Sequence, residues 1–288
     1  MHEQLEVLTT GVGAAFAVVL GLLWGSFANV MIYRLPEKRS VVRPGSHCSA
    51  CKAPIAWYDN VPILSYLWLR GHCRACKAAF SPRYLMVEAL TGALFGVAWW
   101  FTLGTGGMLT LESVEVRALR FCIYAAFVFV MIVIAFIDLD HKLILHRVTY
   151  PAIVVFYAAT FALPGVRWWE GLVGAAIGYG VPWLIGEIYF RVTKREGLGL
   201  GDSDLLALIG ALLGWRGVVF ALFGGSLIGS VIGITALVAT RPPKPADDDG
   251  DEVGPTLMKT ELPFAPFLTL AAVFYLFAAP WIELHFRL

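Results

Sequence analysis

Apolar runs long enough to cross about 30 Å of hydrocarbon, roughly 20 residues each, recur along this chain. They fall near residues 10–33, 85–103, 118–138, 148–164, 168–190, 202–214, 217–240 and 264–283. The sixth is short and is approached through Gly197, Gly199 and Gly201. This pattern predicts an all-α polytopic membrane protein of about eight transmembrane helices. The longest polar interruption lies between the first two runs.

Composition sharpens the class. With 288 residues, 58% hydrophobic and 15% charged, and a mean hydropathy of +0.72, the chain is far more apolar than a soluble domain. The net charge of +1 says little, because charge is segregated by loop. Arg34, Lys38, Arg39, Arg43, Lys52, Arg70, Arg74, Lys77 and Arg83 face only Glu37 and Asp59 in the first interruption. By the positive-inside rule that loop is cytoplasmic. The other inside loops then become 139–147, 191–201 and 241–263, with both termini outside. The first apolar run is too long for a secretory signal and is followed by a basic loop rather than a cleavage site, so it reads as a retained span.

Three parts follow: a first transmembrane helix within 1–34, a cytoplasmic loop domain over 35–84, and a membrane domain over 85–288. Inside the last, the run containing Asp247, Asp248, Asp249, Asp251 and Glu252 reads as a solvated, mobile linker in the loop 241–263. Trp99, Trp100, Trp168, Trp169 and Trp281 read as interfacial anchors, and Cys122 as a small packing residue within a span.

The loop domain carries Cys48-Ser49-Ala50-Cys51 and Cys73-Arg74-Ala75-Cys76. Each Cys-x-x-Cys knuckle presents two thiolates to one ion, and two knuckles complete a tetrahedral four-sulfur shell suited to zinc. A reducing compartment argues against disulfides. A closed four-thiolate shell has no open position for water, so such a zinc is structural. The expected ligands are therefore Cys48, Cys51, Cys73 and Cys76.

Carboxylates at the inner ends of spans are the other candidates, since ionisable groups at that depth are functional suspects. Asp138 stands in Phe136-Ile137-Asp138-Leu139-Asp140 and Asp202 in Gly199-Leu200-Gly201-Asp202. Two carboxylates sharing one proton supply an acid and a base for activating water against a peptide bond. The plainer reading is that each caps the next helix or pairs with Lys142 or Arg147. Asp140 and Asp204 stand two residues beyond the preferred pair, and spacing does not choose between them. Glycines at 199 and 201 allow backbone conformations closed to other residues and a close approach to a substrate strand. His141 and His146, five apart on an expected loop, lack the His-Glu-x-x-His spacing of a metalloprotease.

Together these residues resemble the type IV prepilin peptidases, membrane aspartic proteases of the Gly-x-Gly-Asp class. The resemblance runs through Gly25-Ser26-Phe27-Ala28-Asn29-Val30, Arg34-Leu35-Pro36, both cysteine knuckles, and Asn60-Val61-Pro62-Ile63-Leu64-Ser65 with Leu69-Arg70-Gly71. It continues through Ser81, Arg83, Tyr84, Val87 and Glu88, both aspartate motifs, and Pro263-Phe264-Ala265-Pro266-Phe267-Leu268. It implies that Asp138 and Asp202 are the catalytic pair of a multi-pass bacterial inner-membrane enzyme. The implied substrates are prepilins and pseudopilins of type IV pili and type II secretion, whose basic leader is cut at the cytoplasmic face, commonly between glycine and phenylalanine. The amino group released is then N-methylated from S-adenosylmethionine.

No Gly-x-Gly-x-x-Gly loop is present to cradle that cofactor. Its site must be built from the cysteine-bearing loop and adjoining span ends, where Glu88 is a candidate; a pairing of Glu88 with Arg83 or Arg70 is the structural alternative. Gly25, Ser26 and Asn29 suit helix packing and interhelical hydrogen bonds. No nucleic-acid partner is expected.

The chain also departs from the family pattern. Leu145 and His146 stand where the family has proline then aspartate or asparagine, and Asp204 stands where it has lysine. The last exchange reverses a charge beside the second aspartate motif. Two other functions are compatible with the sequence: a non-enzymatic assembly factor docking through the zinc loop, and a proton-coupled transporter. Aspartates at the inner boundary rather than the midplane, without inverted repeats, argue against transport.

Overall fold

The computed structural model describes residues 6–104, 112–194, 199–239 and 263–286. Among them the regular elements are all helical: α1 (Gly11–Arg34), α2 (Leu64–Trp68), α3 (Arg83–Thr102), α4 (Val114–His141), α5 (His146–Thr160), α6 (Trp168–Thr193), α7 (Leu200–Ala239) and α8 (Ala265–Phe286). Six of these are long and apolar enough to cross a membrane. α5 has only 15 residues, fewer than a perpendicular span needs. α7 is broken at Gly214, whose φ of 68° and ψ of −175° lie in a region only glycine tolerates. The chain therefore folds back into a short first half, 200–213, and a longer second half. Residues 195–198 and 240–262 lie outside the described residues, and with them Arg195, Gly197, the basic Arg241 and Lys244, and the acid run at 247–252.

α4 is the central helix. Of its apolar stretch 61% is buried inside the protein, against 22–44% for the other five candidate spans. Phe127, Met131, Ile134 and Ile137 of α4 meet a core that includes Leu205, Leu206, Leu208, Ile209 and Leu268, all fully buried. With lipid outside, burying one more leucine gains little, so close backbone approach matters more. Gly21 and Gly25 let α1 lie on α3, where added Cβ atoms would stand 2.8 Å from Gly92 Cα and 2.7 Å from Glu88 Cα. Gly174 and Gly178 press α6 against the backbone of Gly210 and Leu206 in α7.

Two expectations about side chains change. Trp99 is buried and donates its indole N–H to Leu8 O at 2.7 Å, so it ties the N-terminal turn to α3 rather than anchoring an interface; Trp100, Trp168, Trp169 and Trp281 are exposed. Cys122 lies on the outer surface of α4, not in its packed interior.

α4 also runs further than its apolar stretch. It begins at Val114 and ends at His141, where Lys142 takes a left-handed φ of 50° and donates its N–H to Asp138 O at 2.8 Å. His141 thus closes one helix and His146 opens the next, and the expected loop 139–147 shrinks to four residues.

Candidate active site

Contacts between helix ends gather the candidate residues at one end of the bundle. Arg83, the first residue of α3, pairs with Asp140 in the last turn of α4. The same guanidinium donates to Phe136 O at 3.0 Å and lies 5.1 Å over the Phe136 ring. His146 Nδ1, opening α5, stands 2.6 Å from Asp204 Oδ2 in the first half of α7. Asp140 is therefore turned toward α3, and Asp204 toward α5.

Asp138 and Asp202 belong to neither pair. Asp138 is 6% exposed, in the last turn of α4, and its Oδ2 accepts the N–H of Ala265 at 3.1 Å. Asp202 is half-buried in the first turn of α7, within electrostatic range of Asp138. The capping alternative is thus partly realised, but across 127 residues: Asp138 holds the start of α8, where backbone N–H groups have no helical partner. The Lys142 charge also reaches Asp138. Ala265 was missed as a partner, although a proline just inside a span, here Pro266, marks a helix start.

The glycines of the second motif act differently from expectation. Neither Gly199 nor Gly201 has positive φ. Gly201 lies against Ile144, where an added Cβ would stand 2.9 Å from Ile144 Cβ. Its role in this structure is close packing of the α4–α5 turn onto α7. A Cβ on Gly199 would stand 3.6 Å from Asp202 Oδ2.

On the other side of the Arg83–Asp140 pair, α1, α3 and the loop domain enclose a cavity of about 440 Å³, within the range of small-molecule sites. Glu88 lies on its wall, with Asn29, Arg34, Tyr66, Phe80 and Tyr84 among its neighbours. Glu88 Oε2 accepts the N–H of Ile63 at 2.8 Å, and Ser26 lines the same cavity. Neither Arg83 nor Arg70 is the partner expected from sequence, because Arg83 is committed to Asp140. Ile63 sits at a φ of 61°, a costly conformation for a β-branched residue. Asn29 Nδ2 donates to Tyr84 O at 3.1 Å, linking α1 to α3, and the buried Arg34 donates to Ser40 O and Gly45 O.

The four cysteines lie behind this cavity, with all their sulfurs within 4.8 Å of one another. Cys48 Sγ and Cys76 Sγ are 3.8 Å apart. The knuckles are copies: His47–Ala53 and His72–Ala78 differ only in Ser49 and Arg74 among their seven residues. Their backbones repeat as well. Cys48 N–H donates to Ala53 O at 2.9 Å and Cys73 N–H to Ala78 O at 2.8 Å, and Lys52 and Lys77 take φ values of 59° and 60°. The N–H groups of Cys51 and Ala50 hold the Cys48 thiol down at about 6, while Cys76 is pushed up to about 11 against the Ala78 N–H by burial and the other three sulfurs, so thiolate character is concentrated on Cys48. Between the knuckles, Asp59 receives two bonds from Arg74, at 2.7 and 2.5 Å, and is held below the usual carboxylate range by them. The cluster is able to bind a metal ion. No other grouping of potential metal ligands occurs among the described residues.

Two family models match successive parts of the chain. Residues 19–102 match the family model of the bacterial peptidase A24 N-terminal domain, and residues 125–234 match that of the type IV leader peptidase family. A prepilin leader peptidase/N-methyltransferase of Myxococcus xanthus (strain DK1622) is 33% identical over 331 residues, covering 98% of this chain and 95% of that protein. Proteins of the same name from Neisseria gonorrhoeae and Aeromonas salmonicida are 37% and 33% identical, covering 77% and 88% of this chain and 82% and 86% of theirs. No solved structure matches the chain.

Proposed function

The chain belongs to the type IV leader peptidase family, and from that premise we propose that it cuts the basic leader from prepilins and pseudopilins with Asp138 and Asp202, then methylates the new N-terminus. The observation that carries the dyad is the disposition of four carboxylates. Asp140 is engaged by Arg83 and Asp204 by His146, while Asp138 and Asp202 belong to neither pair and lie within electrostatic range of one another.

The dyad holds one proton between its members. The ionised carboxylate takes a proton from water as the oxygen attacks the scissile carbonyl, and the protonated one donates to the carbonyl oxygen. Collapse of the tetrahedral intermediate passes a proton to the leaving amine and restores the starting state. Proton transfers of this kind contribute typically 10²–10⁴-fold each, and no covalent intermediate forms. The Ala265 N–H orients the Asp138 carboxylate throughout, and the two helix starts supply local positive potential beside the single negative charge that the dyad keeps.

The methyl donor binds in the cavity beside Glu88. S-adenosylmethionine would supply an electrophilic methyl group there; Glu88, held in place by the Ile63 N–H, receives the substrate amine and accepts its proton. The cysteine cluster holds a structural zinc. A tetrahedral ion with zinc–sulfur bonds of about 2.3 Å puts sulfurs about 3.8 Å apart, the separation of Cys48 and Cys76. Residues 35–84 then act as a zinc-bearing methyl-transfer domain after the span within 1–34, and 85–288 as the peptidase domain. The basic loop and the dyad lie at the cytoplasmic face of a bacterial inner membrane, so the substrate's apolar helix stays among the spans while its leader lies at the aspartates.

Co-expression with a prepilin tests the assignment, the leader and the N-terminal methyl group being followed by mass spectrometry. Asp138→Asn and Asp202→Asn should each abolish cleavage at unchanged membrane levels, whereas Asp140→Asn and Asp204→Asn should still cut. Cleavage at the wild-type rate by either of the first two would show the dyad to be misassigned. A purely docking protein would tolerate both aspartate changes and require only the cysteines.

A further inference from the structure

The loop domain presents one apolar surface that neither the cavity nor the cysteine cluster uses. Leu64, Leu67 and Trp68 are 65%, 60% and 82% exposed, and their i, i+3, i+4 spacing sets them on one face of the single-turn helix α2. Ser65 Oγ donates to Tyr58 O at 3.1 Å, which ties α2 to the short turn Trp57–Asn60, where Trp57 is also 82% exposed. The opposite side of α2 is occupied: Ser65, Tyr66 and the flanking Ile63 and Leu69 line the cavity. On the spans, exposed leucines and tryptophans are lipid-facing as a matter of course. Here they stand on a loop that is not a span, and exposed apolar clusters of this kind mark interaction surfaces.

We propose that this face of α2, with Trp57, docks onto the anionic interfacial region of the same membrane that the spans cross. Charge carries the choice of partner. Residues 35–82 hold seven basic side chains, all exposed, against Glu37 and Asp59, a formal net of +5 that remains positive, at about +3, with a zinc on four thiolates. Both acids are already engaged, by Arg39 at 2.8 Å and by Arg74, so the outward field of the domain is positive. Basic groups are drawn to an anionic leaflet, and tryptophan favours the headgroup level. Attachment does the rest. The domain leaves α1 at Leu35 and enters α3 at Arg83, so both its ends lie within a residue of helices that cross the bilayer. Apolar side chains on a basic surface held there meet the conditions for interfacial binding.

The consequence concerns the cavity on the other side of α2. Docking fixes its mouth at the lipid surface, the level at which the N-terminus of a membrane-embedded substrate helix emerges. The inference rests on the membrane location of the chain and not on the assignment of either active site.

Fluorine NMR of the full chain labelled with 5-fluorotryptophan, in nanodiscs of phosphatidylethanolamine and phosphatidylglycerol, tests it. Trp57→Phe and Trp68→Phe identify the two resonances, and zinc content checks that each variant is folded. Both resonances should lose most of their intensity to a lipid carrying a nitroxide just below the headgroup and keep it against a water-soluble paramagnetic chelate. Replacing phosphatidylglycerol by phosphatidylcholine should shift both toward bleaching by the chelate. Bleaching by the chelate alone in the anionic nanodisc would overturn the proposal. So would protection from both agents, or protection that arises only on adding a prepilin, which would assign the face to the substrate.

Discussion

His146 Nδ1 stands 2.6 Å from Asp204 Oδ2, which joins two positions that depart from the family pattern. Where the family has an acid or amide at one and lysine at the other, this chain has a cation-forming imidazole and a carboxylate. The departures face each other, so they form one exchange of polarity rather than two separate losses. Asp204 is 2% exposed, and its carboxylate is turned to the His146 imidazole. Tyr150 stacks on the imidazole with ring centroids 5.0 Å apart, completing the α5–α7 contact.

Charge swaps should show this coupling. His146→Asp sets two carboxylates together, and Asp204→Lys sets a lysine beside the imidazole; each should destabilise the protein by roughly 1–2 kcal/mol, a figure discounted because the imidazole is 59% exposed. The double variant should recover most of the loss. Thermal unfolding in detergent across the four proteins checks it, and additive losses would disprove the pairing.

Arg83 joins the two halves of the molecule, since it is bound to Asp140 and Phe136 O while its neighbours Tyr84 and Glu88 line the cavity. Arg83→Gln should lower cleavage about 10-fold through misplacement of the last turn of α4, and methylation of pre-cleaved substrate should fall with it. Asp140→Asn, which retains a hydrogen-bonding partner, should be milder in both assays.

Glu88→Gln should separate the two reactions. It preserves an acceptor for the Ile63 N–H but removes the proton-accepting charge, so methyl transfer should fall by about 10²-fold or more while leader cleavage stays near wild type. The methylated fraction of cleaved product, read by mass spectrometry, checks this. A parallel loss of cleavage would mean that Glu88 acts through the fold.

Zinc removal should act in the same direction. Structural zinc sites contribute on the order of 10 kcal/mol to the folding of the segment they tie. A strong chelator, or Cys48→Ser with Cys51→Ser, should open residues 35–82 to proteolysis and abolish methylation, because the cavity wall includes Ser46, His47 and Ser49 beside the first knuckle. The bundle holding Asp138 and Asp202 does not include the cluster, so cleavage should persist. Metal analysis should find one zinc per chain.

Gly201→Val tests the packing role of the second motif. Even the first added carbon meets Ile144 Cβ at 2.9 Å, so the variant should displace Asp202 and lose cleavage. Adding Ile144→Ala should restore part of it.

The sequence by itself determined what depends on local chemistry. Apolar runs placed the helices to within a few residues, because crossing hydrocarbon demands length and internal hydrogen bonding whatever the neighbours are. The break at Gly214 was visible as a short sixth run, and the repeated knuckles announced a four-thiolate cluster through ligand type and spacing. The tertiary structure alone decided which partner each aspartate of the two motifs takes. Residues two apart on a helix point in different directions, and spacing holds no information about which direction faces another helix. Arg83 drawing away Asp140, His146 taking Asp204, and Ala265 reaching Asp138 are contacts across 57, 58 and 127 residues. They exist because packing brings helix ends together, where half-satisfied backbone groups and buried charges must find partners from whichever helix lies nearest.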